Sequence, residues 1–161
     1  MQLTQKERML LEDQKKHEEV CIRKYTEAAE KANDPELKQL YSTYAAQEQQ
    51  HYQTLEQMLA GQIPQQNDQA GQGAGQGQGI QAAGAVGRQG MQSGAGSKID
   101  EDLCNDLLMT EKYVSGTYDT AIFEFTDSRA RQTLNHIQKE EQQHGEGIFK
   151  YMQAHGMYQP S

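Results

Sequence analysis

The tetrapeptide Glu48-Gln49-Gln50-His51 occurs again 93 residues later as Glu141-Gln142-Gln143-His144. At the same offset, and without a gap, further pairs of identical residues align, among them Glu18 with Glu111, Tyr25 with Tyr118, and Asp34 with Asp127. A fixed offset that brings two long segments into register indicates an internal repeat. The chain is therefore predicted to use one structural unit twice.

Each copy has the pattern of a helical hairpin, with helices predicted over residues 4–33 and 35–60, and over 98–126 and 128–155. The signals for helix ends are capping boxes at Thr4–Glu7 and Ser97–Asp100, an N-cap Asp34 before Pro35, and the terminating glycines Gly61 and Gly156. The predicted fold class is all-α, a four-helix bundle built from two repeated hairpins.

Residues 61–98 separate the hairpins and have a different composition. They contain 11 Gly and 10 Gln among 38 residues, which is too little apolar surface to offset the entropy of ordering. We expect a long flexible crossover between the second and third helices, whose ends lie about 35 Å apart. That span is close to the ~39 Å length of a 26-residue helix. An interaction tail or an aggregation-prone tract is the alternative.

The predicted organisation is thus a first hairpin over residues 1–60, a linker over 61–98, and a second hairpin over 99–158. The two hairpins together form one domain. In a bundle with this crossover, the second and third helices run parallel.

Acidic and imidazole side chains occupy positions that should face the bundle core. In the second helix, a 4-3-4-3 spacing runs through Leu37, Tyr41, Tyr44, Glu48 and His51, which is the pattern of a core-facing seam. Across the four helices the polar seam residues are Glu18, Glu48, His51, Glu111, Glu141 and His144. No Lys or Arg occupies these seams.

Four clustered carboxylates in a dry core would repel one another, and each costs several kcal/mol to bury unpaired. They could be protonated, hydrated or bound to metal. Two divalent ions would balance four carboxylates and two neutral histidines. In each Glu-x-x-His motif, the spacing places both side chains on one face of the helix, within reach of the same ion.

The paired Glu-x-x-His motifs on a four-helix pattern resemble the ferritin-like superfamily, in particular its short rubrerythrin-like members. The resemblance implies a ferritin-like bundle in which all six seam residues bind two divalent Fe or Mn ions, without catalytic residues beyond these ligands. Two departures are visible. Cys21 and Cys104 form no CxxC pair for a rubredoxin domain, and Leu108 stands where rubrerythrins carry an extra carboxylate. A peroxidase cycle that needs that carboxylate is in doubt.

The C-terminal half resembles the spore coat protein F family of endospore-forming bacteria. The similarity runs from Asp106-Leu107-Leu108 through Tyr118-Asp119 to residues 149–158, where Tyr-Met-x-x-His-Gly-x-Tyr is the most distinctive run. It implies a protein made in the cytoplasm and deposited in the spore coat. Its expected partners are other coat proteins or further copies of itself.

Two classes of function follow from these resemblances. In the first, the protein is a metal-dependent redox enzyme that reduces O₂ or peroxide, or disproportionates peroxide. In the second, it is a structural coat component whose metal site is vacant or only stabilises the fold. Oxygen and nitrogen ligands suit both Fe and Mn, so the spacing does not choose between them.

Composition excludes other classes. A formal net charge of −8, from 15 basic and 23 acidic residues, argues against a nucleic-acid partner. No stretch is long and apolar enough for a membrane span, and the N-terminus lacks the apolar core of a signal peptide.

The sequence leaves two possible roles for some residues and predicts no metal contact for others. Tyr25 and Tyr118 could hydrogen-bond a ligand carboxylate, or could be ordinary core tyrosines. Gly145 and Gly147 could permit close helix approach or access to the metals. The three remaining histidines, which are expected on the solvated surface, are His17, His136 and His155.

Overall fold

The structure, a computed structural model, describes residues 1–64 and 97–158, which form four helices. These are α1 (Gln5–Lys31), α2 (Pro35–Leu59), α3 (Lys98–Glu124) and α4 (Ser128–Ala154). The helices pack as two hairpins, α1 with α2 and α3 with α4. The all-α prediction is confirmed, and the predicted helix bounds differ from the observed ones by at most two residues.

The residues at the helix ends explain these bounds. Thr4 and Glu7 form the complete capping box that the sequence predicts. At Ser97 only half of the predicted box is present, because the Asp100 carboxylate accepts a hydrogen bond from the backbone N–H of Asn33 at 2.7 Å instead. Gly61 follows α2 with a φ of 82°, a left-handed conformation that glycine adopts without strain.

Contacts along α1 and α3 show that these two helices run antiparallel. Lys6 Nζ lies 2.6 Å from Glu124 Oε2 at one end, and Lys24 Nζ lies 2.7 Å from Asp106 Oδ2 further along. Because α1 is also antiparallel to α2 within its hairpin, α2 and α3 run parallel. This direction agrees with the predicted crossover topology.

The parallel arrangement places the end of α2 and the start of α3 at opposite ends of the bundle. Beside the end of α2, the Met1 ammonium donates to the Gly61 carbonyl at 2.6 Å. At the other end, Asn33 Nδ2 donates to Ser97 Oγ at 2.9 Å. A 27-residue helix such as α1 is about 40 Å long. The predicted flexibility of the crossover concerns residues 65–96, which lie outside the described residues.

The core consists of two apolar clusters separated by a polar layer. One cluster, near the start of α1, includes Leu11, Leu55 and Leu134. The other, near the end of α1, includes Leu37 and Ile148. Along each helix the predicted metal-ligand positions fall between the residues of these clusters. The polar layer is therefore enclosed on both sides by apolar packing.

None of the four helices in the described residues is both long and apolar enough to cross a membrane. Both cysteines of the chain are buried as free thiols.

Candidate metal centre

The six seam residues converge in the polar layer, and each is at most 3% exposed. Their ligating atoms form two sets, and within each set the atoms lie within 4.8 Å of one another. The first set, called here the His51 position, is Glu18, Glu48, His51 and Glu141. The second, the His144 position, is Glu48, Glu111, Glu141 and His144. Glu48 and Glu141 belong to both sets, as bridging carboxylates would.

Both imidazole rings direct Nδ1 into the cluster. His51 Nδ1 lies 3.2 Å from Glu48 Oε2 and 2.9 Å from Glu141 Oε1. His144 Nδ1 lies 3.1 Å from the other oxygen of Glu48. The two rings are stacked, with centroids 5.8 Å apart. The carboxylates of Glu48 and Glu141 thus lie beside both histidines.

The Nε2 atoms point outward to polar groups on the facing helix. His51 Nε2 lies 2.8 Å from Glu140 Oε2, and His144 Nε2 lies 3.0 Å from Gln47 Oε1. Both outer partners are acceptors, so Nε2 donates, and loss of the Nδ1 proton then leaves a neutral ring whose Nδ1 lone pair faces the cluster. That is the tautomer that a metal at either position requires.

Two tyrosines support the α1 and α3 glutamates from across the bundle. Tyr25 donates to Glu111, and Tyr118 donates to Glu18. Burial, together with the nearby carboxylates, raises the pKa of both tyrosines well above the usual range, so both hydroxyls keep the proton they donate. Of the two roles the sequence left open, the hydrogen bond to a predicted ligand carboxylate is confirmed.

Four buried carboxylate oxygens have no hydrogen-bond partner. They are Oε2 of Glu18, Oε2 of Glu111, and both oxygens of Glu141, whose Oε1 lies 2.9 Å from His51 Nδ1 without forming a hydrogen bond with it. A buried polar atom without a partner costs about 1–3 kcal/mol, and more when it is charged. Within the described residues no Lys or Arg is buried. The donor set therefore fits a pair of divalent cations, which would satisfy these oxygens and balance their charge.

No buried Lys or Arg of the described residues balances the charge of the cluster, so its own groups hold protons instead. Burial raises the pKa of Glu18 to about 8 and raises that of Glu141 well above its usual range. Burial alone would raise the pKa of Glu48, but hydrogen bonds from both histidines lower it below its usual range. Burial would lower the pKa of His144, but hydrogen bonds to neighbouring carboxylates raise it to about 9. The cluster thus retains protons that a bound cation would displace.

A cavity of about 380 Å³ lies between α3 and α4, on the outer side of the polar layer. Glu111 and Glu141 line it, next to Leu108 and Gly145. A Cβ at Gly145 would meet only side-chain atoms of Leu108 and Glu111, each at 3.7 Å. The cavity therefore lies beside Leu108 and next to Glu111 and Glu141, which are at most 2% exposed.

Gly147 has a different role. A Cβ at this position would collide with the hydroxyl of Tyr44, whose ring packs on the His144 ring with centroids 4.3 Å apart. Gly147 permits close helix approach, and Gly145 lies on the cavity. Close helix approach is thus confirmed for Gly147, and a role of Gly145 in access to the metals stays a prediction.

The expectation that the other histidines are solvated is correct only for His136. His17 is half-buried and packs edge-on against Tyr113, with centroids 5.5 Å apart. His155 stacks on Tyr151 at 4.0 Å. Both expectations were wrong because a neighbouring aromatic ring covers each imidazole. None of the three joins the cluster of six.

Sequence reasoning missed Glu140 and Gln47, the outer partners of the histidines. Each directly precedes a Glu-x-x-His motif, and the 93-residue repeat aligns one with the other. This alignment of two polar residues is a signal that could have found them. They lie off the seam, so a search restricted to core-facing positions passes over them.

Residues 99–161 match the family model of the Coat F domain. The match covers α3 and α4 and suggests association with the spore coat. It confirms the predicted Coat F resemblance over these residues, which include Glu111, Glu141 and His144. No curated protein and no solved structure matches the chain.

Proposed function

We propose that this protein is a ferritin-like bundle of the spore coat whose polar layer binds two divalent Fe or Mn ions. Glu18 and His51 would bind one ion, and Glu111 and His144 the other. Glu48 and Glu141 would bridge the two. The observation that carries the proposal is the convergence of four unpartnered carboxylate oxygens in a core without a Lys or Arg among its described residues.

The charges support two ions rather than one. Four ionised glutamates and two neutral histidines carry −4, which two divalent cations balance. A single divalent cation would leave two uncompensated charges in a dry layer, where each costs several kcal/mol. The sharing of Glu48 and Glu141 between the two positions further supports a pair of adjacent ions.

When bound, such ions supply electron transfer to O₂ or peroxide, or the disproportionation of peroxide. The protein's own groups prepare the site. The tyrosines hold Glu18 and Glu111 in place, and the outer acceptors fix the tautomer of each histidine. The apolar clusters keep bulk water away from the polar layer. The α3–α4 cavity offers a small molecule a route to Glu111 and Glu141.

A structural role in the coat is the second candidate. It is favoured by the hydrogen bonds within the cluster, since His144 and His51 both contact Glu48 directly. In that case the layer would hold protons in place of metal. The site would then be vacant, or would only stabilise the bundle.

Metal binding to a matched pair of variants tests the proposal. Glu18 is buried in the cluster, whereas its neighbour Glu19 is exposed. Apo-protein given Fe(II) or Mn(II) under anaerobic conditions should bind about two ions per chain, measured by equilibrium dialysis and elemental analysis. Glu18→Gln should weaken binding at least tenfold, and Glu19→Gln should leave it unchanged. A wild-type chain that binds no ion, or equal binding by both variants, would overturn the proposal.

A further inference from the structure

The polar layer has an approximate twofold symmetry that one pair of residues breaks. The repeat relates His51 to His144, and it relates their outer acceptors Gln47 and Glu140. His51 donates to the carboxylate of Glu140 at 2.8 Å, whereas His144 donates to the amide oxygen of Gln47 at 3.0 Å. Both contacts are hydrogen bonds from Nε2, but the acceptor is a carboxylate at His51 and a neutral amide at His144.

This difference acts on the electron density of each imidazole. An ionised acceptor forms a stronger hydrogen bond with an N–H than a neutral amide does. A carboxylate on the outer nitrogen makes the inner nitrogen a better donor to a metal, and it adds a negative charge near the ion. The side chain of Glu140 is 29% exposed, so its carboxylate contacts both water and the His51 ring. His136, which lies 3.5 Å from Glu140, is itself exposed and offsets little of this charge.

We infer that Glu140 makes the His51 position the tighter of the two metal sites, so that it fills first. The His144 position, supported only by the neutral Gln47, fills second. This inference rests on the proposed function, since it concerns the same two ions. Glu140 and Gln47 are positioning residues that act through the histidines and do not touch the metals.

The order of filling has a consequence for reactivity. The α3–α4 cavity is lined by Glu111, which belongs only to the His144 position. The ion nearest the opening is therefore the weakly held one. A chain with one ion would carry it at the His51 position, on the side away from the cavity. A small substrate that enters the cavity would then meet a metal ion only after the second ion has bound.

Titration with Mn(II) tests this order, with calorimetry for affinities and electron paramagnetic resonance for occupancy. Wild-type protein should show two dissociation constants at least tenfold apart. One equivalent should give the spectrum of an isolated Mn(II), and two equivalents should replace it with that of a coupled pair. Two equal constants, or a coupled pair from the first addition, would overturn the inference.

Two variants that give both histidines the same kind of outer acceptor show which dissociation constant belongs to which metal position. Glu140→Gln should weaken the tighter site about tenfold and leave the weaker one unchanged. Gln47→Glu should strengthen the weaker site by a similar factor. Both variants keep a hydrogen-bond acceptor in place, and thermal unfolding of the apo-proteins checks that the fold persists.

The outcomes separate the inference from the proposed function. If wild-type protein binds no Mn(II), both are wrong. If it binds two ions and neither variant changes the ratio of the constants, the inference is wrong and the two-metal site stands. A purely structural role for Glu140 predicts that Glu140→Gln lowers the thermal stability without changing this ratio, and that result would also overturn the inference.

Discussion

At the scale of single residues, the polar layer is a place where protons and metal ions compete. Glu18 and Glu141 are held above their usual pKa by burial, and His144 is held above its own by neighbouring carboxylates. Every one of these shifts favours a proton in the metal-free fold. The affinity for divalent ions should accordingly increase with pH, because the ions must displace these protons.

Without metal, the free energy of unfolding should fall as the pH rises from about 5 to about 9. Between about pH 4.5 and pH 8, folded Glu18 keeps a proton that the unfolded chain has released. Stability falls with pH wherever the folded state binds more protons. His144 acts in the same direction, because its charge stabilises the fold below pH 6.5 and is lost as the pH rises through about 9.

Urea unfolding at pH 5.5 and pH 8.5, in the presence of a chelator, measures this change, which we expect to be on the order of a few kcal/mol. Glu18→Gln should reduce the difference, and Glu19→Gln should not. Saturating Mn(II) should reverse it, because the ions bind more tightly at the higher pH. Equal stability of the metal-free protein at both pH values would contradict this account of the cluster.

How far the sequence predicts the site depends on where each residue lies on its helix. The six candidate ligands were predictable because core-facing positions recur with a fixed spacing and the repeat marks them twice. Gln47 and Glu140 were not, because their roles depend on the distance to the facing helix. The incomplete capping box at Ser97 could not be predicted for the same reason. It depends on a contact between Asp100 and the backbone of Asn33, which is distant in sequence.

At the scale of helices, α4 carries two glycines that cost helix stability for different reasons. Gly147 makes room for Tyr44, which covers the His144 ring, whereas Gly145 borders the cavity. The sequence shows two helix-weakening residues beside His144. Only the packing of α2 against α4 distinguishes their roles.

Alanine at each glycine should therefore have opposite effects on stability. Gly145→Ala should stabilise the fold by about 0.5–1 kcal/mol, because alanine is the better helix former and its methyl meets atoms at ordinary contact distance. Gly147→Ala should destabilise by about 1–3 kcal/mol, because the methyl displaces Tyr44. Chemical denaturation measures both variants, and a stabilising Gly147→Ala would contradict the packing described here.

At the scale of the whole molecule, neither hairpin can enclose the polar layer alone. The Coat F match covers α3 and α4, yet Glu111 and His144 contact Tyr25 and Glu48 of the first hairpin. The segment that matches the coat family thus buries its polar face against residues 1–64.

The parallel course of α2 and α3 makes a prediction about the connection between them. A four-residue connector in place of residues 65–96 can reach at most about 18 Å, whereas the ends to be joined lie at opposite ends of a bundle about 40 Å long. That variant should unfold or exchange hairpins between two chains. A 20-residue Gly/Ser connector should keep the native mass and stability.

Light scattering for mass and circular dichroism for unfolding compare these variants with the wild type. If the four-residue variant keeps the mass and stability of the wild-type chain, the parallel arrangement of α2 and α3 is wrong. The helix directions could be predicted from the length of residues 61–98 alone. The ion pairs that Lys6 and Lys24 of α1 form with α3 support the same helix directions independently.

Anomalous diffraction from crystals of the full chain loaded with Mn(II) or Fe(II) tests the central claim most directly. The account predicts two anomalous peaks inside the bundle, one beside His51 and one beside His144, with Glu48 and Glu141 between them. An interior without peaks, or metal only at surface carboxylates such as Asp34 and Glu36, would contradict it.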